Sequence, residues 1–381
     1  NFRGFEHLHL KFPFDEEKPK PVVIFGINGS GKTSILDASA CLLDSFLEAL
    51  SIGYVSYNPI TNDDRKIDSQ TTAIIAKFQF KDTIEEWFVR SEKDEEKTSL
   101  STSLYGQGVV HIKPWRDAFY DNDGNHPMLR YFPTNRILAK ENSNNNHNDE
   151  GLKVYQKDLI SFNDFVDAFE QLENFENQEK LRKEDFKYRD PKLEVIRTAL
   201  EHFLSKLPNS DYTNLRIERK QKNQSFNKDS IKANLVIDKK GQTLKISQLS
   251  HGEQMLLMMV GDIAHRLTLA NVTGDAINGK GIVLIDEIEL HLHPSWQGLA
   301  INAFCETFPN IQFIVTTHSP LVINHIKKES IFGLKDNQIV HLPNFNNYGA
   351  EIEHVLTLLQ GVSEEAIVPS VVSSKLAQYF E

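Results

Sequence analysis

Three stretches of this sequence predict an α/β fold built on a mixed, largely parallel sheet. The β-branched run at 21–25 leads into a glycine-rich turn and then a long amphipathic segment. The apolar run at 281–285 ends on two adjacent acids, Asp286 and Glu287. A third run, at 311–316, follows a helical stretch that opens at Pro294. Short apolar runs alternating with amphipathic segments of helical length describe strands that helices bury on both faces.

The remaining elements follow in chain order. Leu8, Leu10 and Phe12 alternate with polar residues and predict an early strand. The chain has no initiator methionine, and a few residues are expected in front of Asn1. The helix after the glycine-rich turn is predicted over 32–50, with Ile35, Leu36, Leu42, Leu43, Phe46 and Leu47 apolar. Strand-like segments at 72–80, 85–90 and 109–113 predict an antiparallel β-subdomain on the core. The polar stretch at 141–149 predicts an exposed loop. From 161 to 206 the period is helical, with Phe165, Phe169, Leu172, Leu193, Ile196, Leu200 and Leu204 as core positions and Pro191 dividing two helices. A hairpin is predicted at 235–242, and two small helices from 350 onward. Four parts result: residues 1–140, the first half of the core; 141–210, a loop and compact, mainly helical insertion; 211–345, the second half; and 346–381, a helical tail.

Bulk composition narrows the class. A chain of 381 residues, 40% hydrophobic, can bury a sizeable core. No apolar run reaches the roughly 18 residues that suggest a membrane span, so no membrane partner is expected. Two cysteines without metal spacing suit a reducing, cytoplasmic setting. A formal charge of -11 argues against a globally basic nucleic-acid binder and leaves room for a local basic stripe.

The motifs carry the chemistry. Gly26-Ile27-Asn28-Gly29-Ser30-Gly31-Lys32-Thr33 fits G-x-x-x-x-G-K-[ST] in full, between a strand and a helix. In such a P-loop (Walker A) the glycines let successive N–H groups turn onto phosphate oxygens at the positive end of a helix. Asn28, Gly29, Ser30, Gly31, Lys32, Thr33 and Ser34 are therefore the candidate ATP cradle. Lys32 serves the β- and γ-phosphates and the Thr33 hydroxyl ligates Mg2+. The acids at the end of the 281–285 run are the expected partner of that loop (Walker B). Asp286 would hold the metal, and Glu287 would polarise the attacking water as general base.

Leu249-Ser250-His251-Gly252-Glu253-Gln254 precedes a long apolar helix. A Ser-x-Gly turn at a helix N-terminus is a second anion site, and a helix cap at Ser250 with Glu253 closing a capping box is compatible with it. A chain that already has a P-loop gains from a second phosphate grip if that grip serves a facing subunit. This segment resembles the signature motif of ATP-binding cassette (ABC) proteins, which caps the γ-phosphate across a head-to-tail dimer. The resemblance implies that Ser250, Gly252 and Glu253 contact ATP. Glu289-Leu290-His291-Leu292-His293-Pro294 resembles the D-loop of the chromosome-maintenance (SMC), break-repair and RecF-like branch. His318, in Thr316-Thr317-His318-Ser319-Pro320, resembles its switch histidine, which makes it a catalytic candidate. Asn1-Phe2-Arg3-Gly4-Phe5 resembles the branch's strand-end segment, in which Arg3 would approach the phosphates. Taken alone, His291 and His293 could also be a metal pair without a third ligand.

Roughly 210 residues separate Thr33 from Leu249, which requires an inserted subdomain. With no sustained heptads the insertion should be compact, unlike a long coiled coil. Tyr131-Phe132-Pro133-Thr134-Asn135-Arg136, Ser161-Phe162-Asn163-Asp164-Phe165, Tyr188-Arg189-Asp190-Pro191 and Leu292-His293-Pro294-Ser295-Trp296-Gln297 resemble bacterial anti-phage defence ATPases, the PtuA family of Septu systems and its retron-associated relatives. That resemblance implies a homodimer or higher oligomer working with an HNH nuclease (PtuB-like), and in some systems with a reverse transcriptase and its RNA–DNA product. No Q-loop glutamine is evident; Asn135-Arg136 can take its place. The chain itself carries no nuclease motif, which leaves it an ATPase. Two other readings remain: a stand-alone RecF-like or break-repair ATPase touching nucleic acid through Arg216, Arg219, Lys220 and Lys222, and an overcoming-lysogenization-defect nuclease whose Toprim domain lies beyond Glu381.

Overall fold

The computed structural model describes residues 1–12, 18–52, 60–80, 83–92, 125–134, 162–221 and 231–340. The predicted strand at 109–113, the polar stretch at 141–149, Asn135, Arg136, Lys222 and the predicted tail lie outside the described residues.

Strand β1 (Val22–Gly26) is buried along its whole length. Val22 and Ile24 join one apolar cluster with helix α1 (Lys32–Ile52), and Val23 and Phe25 join a second cluster on the other face. A strand covered on both faces has no polar side to show, which is why its sequence is continuously apolar. The same division holds for β4 (Met128–Phe132), β8 (Gly281–Ile285) and β9 (Ile311–Thr317). With β10 (Ile331–Lys335) and β11 (Gln338–Val340) they form a six-stranded sheet in the order β11-β10-β1-β9-β8-β4. Every pairing is parallel except β10 with β11. The carboxyl ends of β1, β9, β8 and β4 therefore lie along one edge, where open α/β sheets bind ligands.

Two other sheets are antiparallel. β2 (Thr71–Phe80) and β3 (Thr83–Glu92) pair through ten residues each. They meet α1 at Trp87, whose ring lies 5.5 Å from Phe46 and whose Nε1 donates to Ser45 Oγ at 3.0 Å. β5 (Tyr212–Gln221), β6 (Ile231–Lys239) and β7 (Gln242–Lys245) form the third sheet. The β6–β7 turn has positive φ at Lys240 (49°) and Gly241 (77°), as a two-residue I′ hairpin requires.

The predicted helical insertion is a pair, α2 (Phe162–Arg182) and α3 (Pro191–Ser205). Asp190 caps α3, accepting from the Lys192 and Leu193 N–H groups at 3.0 Å, with Pro191 in the first helical position. Pro191 thus starts the second helix, whereas the first already ends at Arg182. Phe165, Phe169, Leu193, Ile196, Leu200 and Leu204 are buried as expected, with Leu172 partly so. They share the larger core with α4 (His251–Ala270) and α5 (Pro294–Thr307). Phe203 meets Phe304 at 4.7 Å, and Phe304 meets Phe313 of β9 at 5.5 Å.

One expectation is corrected. Residues 7–12 form no strand. Leu8, Leu10 and Phe12 pack on the α1-side cluster, with Phe12 edge-on to Phe332 at 6.1 Å. Alternation in the sequence reports one-sided burial, and a strand also needs a backbone partner.

Candidate functional site

The glycine-rich turn leaves the carboxyl end of β1 and enters α1. Gly29 and Gly31 have φ of 79° and 96°, giving the alternating backbone of an anion nest. Gly31 also has no room for a side chain: a Cβ there would lie 2.6 Å from the Phe5 ring. Lys32 is only 6% exposed, and its Nζ donates to the Gly26 and Ile27 carbonyls at 2.9 and 2.8 Å. Burial lowers its pKa, against the pull of Glu287, Glu289 and Asp286. The Ser30 hydroxyl is buried without a hydrogen bond among the described residues. An unsatisfied buried hydroxyl beside a nest and an ammonium suits a polyanionic ligand.

Asp286, fully buried, lies where β8 ends. Its Oδ2 accepts from Thr33 Oγ1 at 2.8 Å and from Thr134 Oγ1, and its Oδ1 accepts from Thr316 Oγ1 at 2.5 Å. Three hydroxyls from three elements therefore converge on one carboxylate. The donor set is hard oxygen throughout, the chemistry Mg2+ prefers. Glu287 turns away with φ of 47°, its N–H held by Thr316 Oγ1 at 2.8 Å. A left-handed non-glycine residue at the end of a buried strand stores backbone strain at the predicted base itself. Thr134 and Thr316 escaped sequence reasoning. The signal for Thr316 was present, because two threonines at the end of a buried apolar strand need partners.

Glu289 was also missed. It is buried, and its Oε1 accepts from the His318 N–H at 2.6 Å while lying 2.9 Å from His318 Nδ1. That contact raises the His318 pKa, opposed by partial burial. Burial works to raise the Glu289 pKa, but the bonds from His318 outweigh it and hold the carboxyl below its usual range. The predicted sensor thus has its ring oriented by a carboxylate two residues beyond Glu287.

Arg3 has φ of 49° and is engaged by two acids. Its Nη1 meets Asp37 of α1 at 2.5 Å, and its Nη2 and Nε meet Asp64 Oδ1 at 2.8 and 3.0 Å. Although burial opposes it, this pairing raises the guanidinium pKa further. The other Asp37 oxygen accepts from the Tyr131 hydroxyl at 2.7 Å, tying β4 to the same helix turn. Arg3 is thereby fixed to the helix that the P-loop opens.

The signature-like turn opens α4. Ser250 is its N-cap: Ser250 Oγ accepts from the Glu253 N–H at 3.3 Å, and Glu253 Oε2 accepts from the Ser250 N–H at 2.7 Å. Glu253 Oε1 also takes the Lys239 ammonium at 2.8 Å and the Tyr212 hydroxyl. Both oxygens of the predicted ATP contact at Glu253 are thus engaged within the chain, while Ser250 is exposed. Gly252 is buried against the D-loop-like segment, where a Cβ would sit 2.4 Å from the His291 carbonyl oxygen. Close backbone approach explains this glycine.

The two histidines have local roles. His293 caps α5, its Nδ1 accepting from the Ser295 N–H at 3.2 Å, and the His291 ring meets His251 edge-on at 5.2 Å. Among the described residues no group of three metal-capable side chains is found. In the basic cluster, Arg216 pairs with Asp238 at 3.0 Å and Arg219 with Glu170 at 3.1 Å. No helix among the described residues is long and apolar enough to cross a membrane.

The "Retron Vc95 probable ATPase" of Vibrio cholerae is 27% identical over 94% of this chain and 78% of its own length. The "Retron Ec83 probable ATPase" of Escherichia coli is 40% identical over 45% of the chain and 30% of its own length. "Septu protein PtuA" of Bacillus mycoides is 34% identical over 33% of the chain and 16% of its own length. The chain thus spans less than a third of the second and third of these relatives. Among solved structures, an Smc head bound to the C-terminal winged-helix domain of ScpA aligns over 90% of this chain and 95% of its own, with 17% identity and a TM-score of 0.46. Residues 1–323 match the AAA ATPase domain family. A P-loop braced against a buried acid at the edge of a parallel sheet, together with a family match over most of its length, makes this chain a member of the AAA ATPase domain family.

Proposed function

We propose that this ATPase is the nucleotide-driven subunit of an anti-phage defence complex. It closes as a dimer around ATP and so regulates a partner HNH nuclease. The observation that carries the dimer is the presence of two candidate phosphate-binding turns at the N-termini of two different helices, α1 and α4. Lys32, Thr33 and Asp286 form one braced cluster, whereas among the described residues the exposed Ser250 turn is hydrogen-bonded to its own helix and, through Glu253, to the β5–β6 sheet. A turn of that kind serves a phosphate presented by a second copy.

In this reading Asn28, Gly29, Ser30, Gly31 and Ser34 wrap the phosphates, with Lys32 as the point charge. Thr33 and Asp286 would hold Mg2+, which would supply charge neutralisation to the bound phosphates. Glu287 accepts the proton of the attacking water, and His318, oriented by Glu289, faces the γ-phosphate. Arg3 exchanges its Asp37 and Asp64 contacts for nucleotide. Defence is supported by similarity to retron and Septu ATPases. The nuclease, and a reverse transcriptase with its RNA–DNA product, are the partners to seek by co-purification from the native operon. With Arg216 and Arg219 both ion-paired, the observations do not favour a nucleic-acid contact at that cluster.

The test is Glu287→Gln. Loss of the general base lowers hydrolysis by about 10²–10⁴-fold. With ATP bound, the variant is expected to scatter light at twice the chain mass. A monomer under those conditions overturns the dimer mechanism.

A further inference from the structure

We infer that Tyr212 and Lys239 are positioning residues for ATP hydrolysis. Through Glu253 they fix the Ser250 turn in the attitude at which it meets a facing γ-phosphate. The inference rests on the reading that Ser250 serves the nucleotide of a second copy.

A capping box needs one oxygen of its glutamate, and Glu253 Oε2 meets that need by accepting from the Ser250 N–H. The other oxygen does something the cap does not require. It takes the Tyr212 hydroxyl and the Lys239 ammonium, and Lys239 Nζ also donates to the Tyr212 oxygen at 2.6 Å while lying 4.6 Å from its ring centre. Tyr212 opens β5 and Lys239 closes β6, and the two stand opposite each other on one rung of the sheet. Glu253 is therefore bonded to both side chains of one paired rung, 41 residues upstream at Tyr212 and 14 upstream at Lys239.

The rung is itself anchored. Further along β5 the Ile217 N–H donates to Glu173 of α2 at 3.1 Å, and Arg219 reaches Glu170 and Asn174 of the same helix at 3.1 and 2.6 Å. On the opposite side of the turn, Gly252 is pressed against the His291 carbonyl. The Ser250 turn is thus clamped between the D-loop-like backbone and the insertion-bearing sheet.

Partly burying a carboxylate, an ammonium and a phenol costs desolvation that a hydrophobic trio would avoid. The return is orientation. Burial works to raise the Glu253 pKa, but Lys239, Tyr212 and Ser250 outweigh it and hold the carboxyl at about 2, so near neutral pH it is a carboxylate. Ser250 Oγ accepts from the Glu253 N–H, and its own proton has no acceptor among the described residues. A hydroxyl that accepts inward and can donate outward is set for an anion. Misplacing such a donor by about 1 Å can cost on the order of 10²-fold in rate.

Tyr212→Phe keeps the ring and removes the hydroxyl. Lys239→Met keeps the stem and removes the charge, and Lys239→Arg restores the charge. In the full chain, turnover is measured against ATP and against protein concentration, alongside fluorescent-nucleotide binding to the monomer, with Ser250→Ala as the reference. The first two variants are expected to lose about 10- to 100-fold in kcat. Monomer affinity for nucleotide should stay within twofold, and Lys239→Arg should recover most of the turnover. Combining Tyr212→Phe with Ser250→Ala should be no worse than Ser250→Ala alone, a non-additivity that general loss of stability would not produce. Wild-type kcat in both Tyr212→Phe and Lys239→Met, with Ser250→Ala impaired, overturns the positioning role and leaves the dimer reading standing. Losses that simply multiply in the double variant overturn it as well. Wild-type turnover in Ser250→Ala sinks the dimer reading, and the positioning role falls with it.

Discussion

The P-loop region and the signature-like turn are both proposed phosphate sites at a helix N-terminus, yet they are built in opposite ways. At the P-loop the working groups are buried and cross-braced. Lys32 is held by two backbone carbonyls, and Thr33, Thr134 and Thr316 all converge on Asp286. At the signature-like turn the working hydroxyl is exposed, and only the residues behind it are fixed. The first site is organised by its own chain, in a low-dielectric setting where each hydrogen bond is strong and each broken one is costly. The second must present an open face, so its order comes from behind, through Glu253 and the packing of Gly252. Damage should therefore be local and severe at the first site, and transmitted and graded at the second.

The largest expected effect breaks the buried side. Lys32→Ala removes the ammonium of the cradle, and ATP binding should weaken by about 2–5 kcal/mol, on the order of 30- to 4,000-fold. Equilibrium binding checks this, and affinity within threefold of wild type would mean that Lys32 is not the phosphate contact.

Gly252→Ala probes the exposed side. Its Cβ would meet the His291 carbonyl oxygen at 2.4 Å, so the turn and the D-loop-like segment must separate. Relieving such a clash costs about 1–3 kcal/mol of stability. Turnover should fall while monomer nucleotide affinity holds, because the P-loop side is untouched. A drop in monomer affinity as large as that in turnover would show that the two sites are not independent.

The smallest effect sharpens the comparison at the junction of the two. Glu289 raises the His318 pKa above its ordinary value of about 6.5. A group raised on folding contributes stability that is complete below its unfolded pKa and is lost as pH rises through the folded value. The His318–Glu289 contact should therefore weaken on the alkaline side of pH 6.5. In Glu289→Gln the His318 titration, followed by NMR, should move down, and the alkaline limb of the ATPase profile should move with it. An unchanged titration would remove Glu289 as the orienting group.

Much of this was legible before folding. The P-loop, the strand ending in Asp286 and Glu287, the capped turn at Ser250 and the helix pair around Pro191 announce themselves through local spacing and short-range propensity. Local chemistry is repeated wherever the same backbone is needed, so a single sequence suffices to find it. The strand expected at residues 7–12 failed for the complementary reason, since its pattern recorded burial against Phe332 and carried no information about a pairing partner.

What the sequence determined by itself is the set of candidate phosphate-binding turns, because glycine conformations, helix dipoles and strand-end acids are properties of a few neighbouring residues. What only the tertiary structure decided is how those turns are held. Thr134 reaches Asp286 across 152 positions, Tyr212 reaches Glu253 across 41, and Glu289 reaches His318 across 29. Each is an ordinary polar residue in its own segment. Its role arises because a buried or half-buried charge must find partners wherever the packed elements bring them, and chain folding, not local sequence, sets which partners are near.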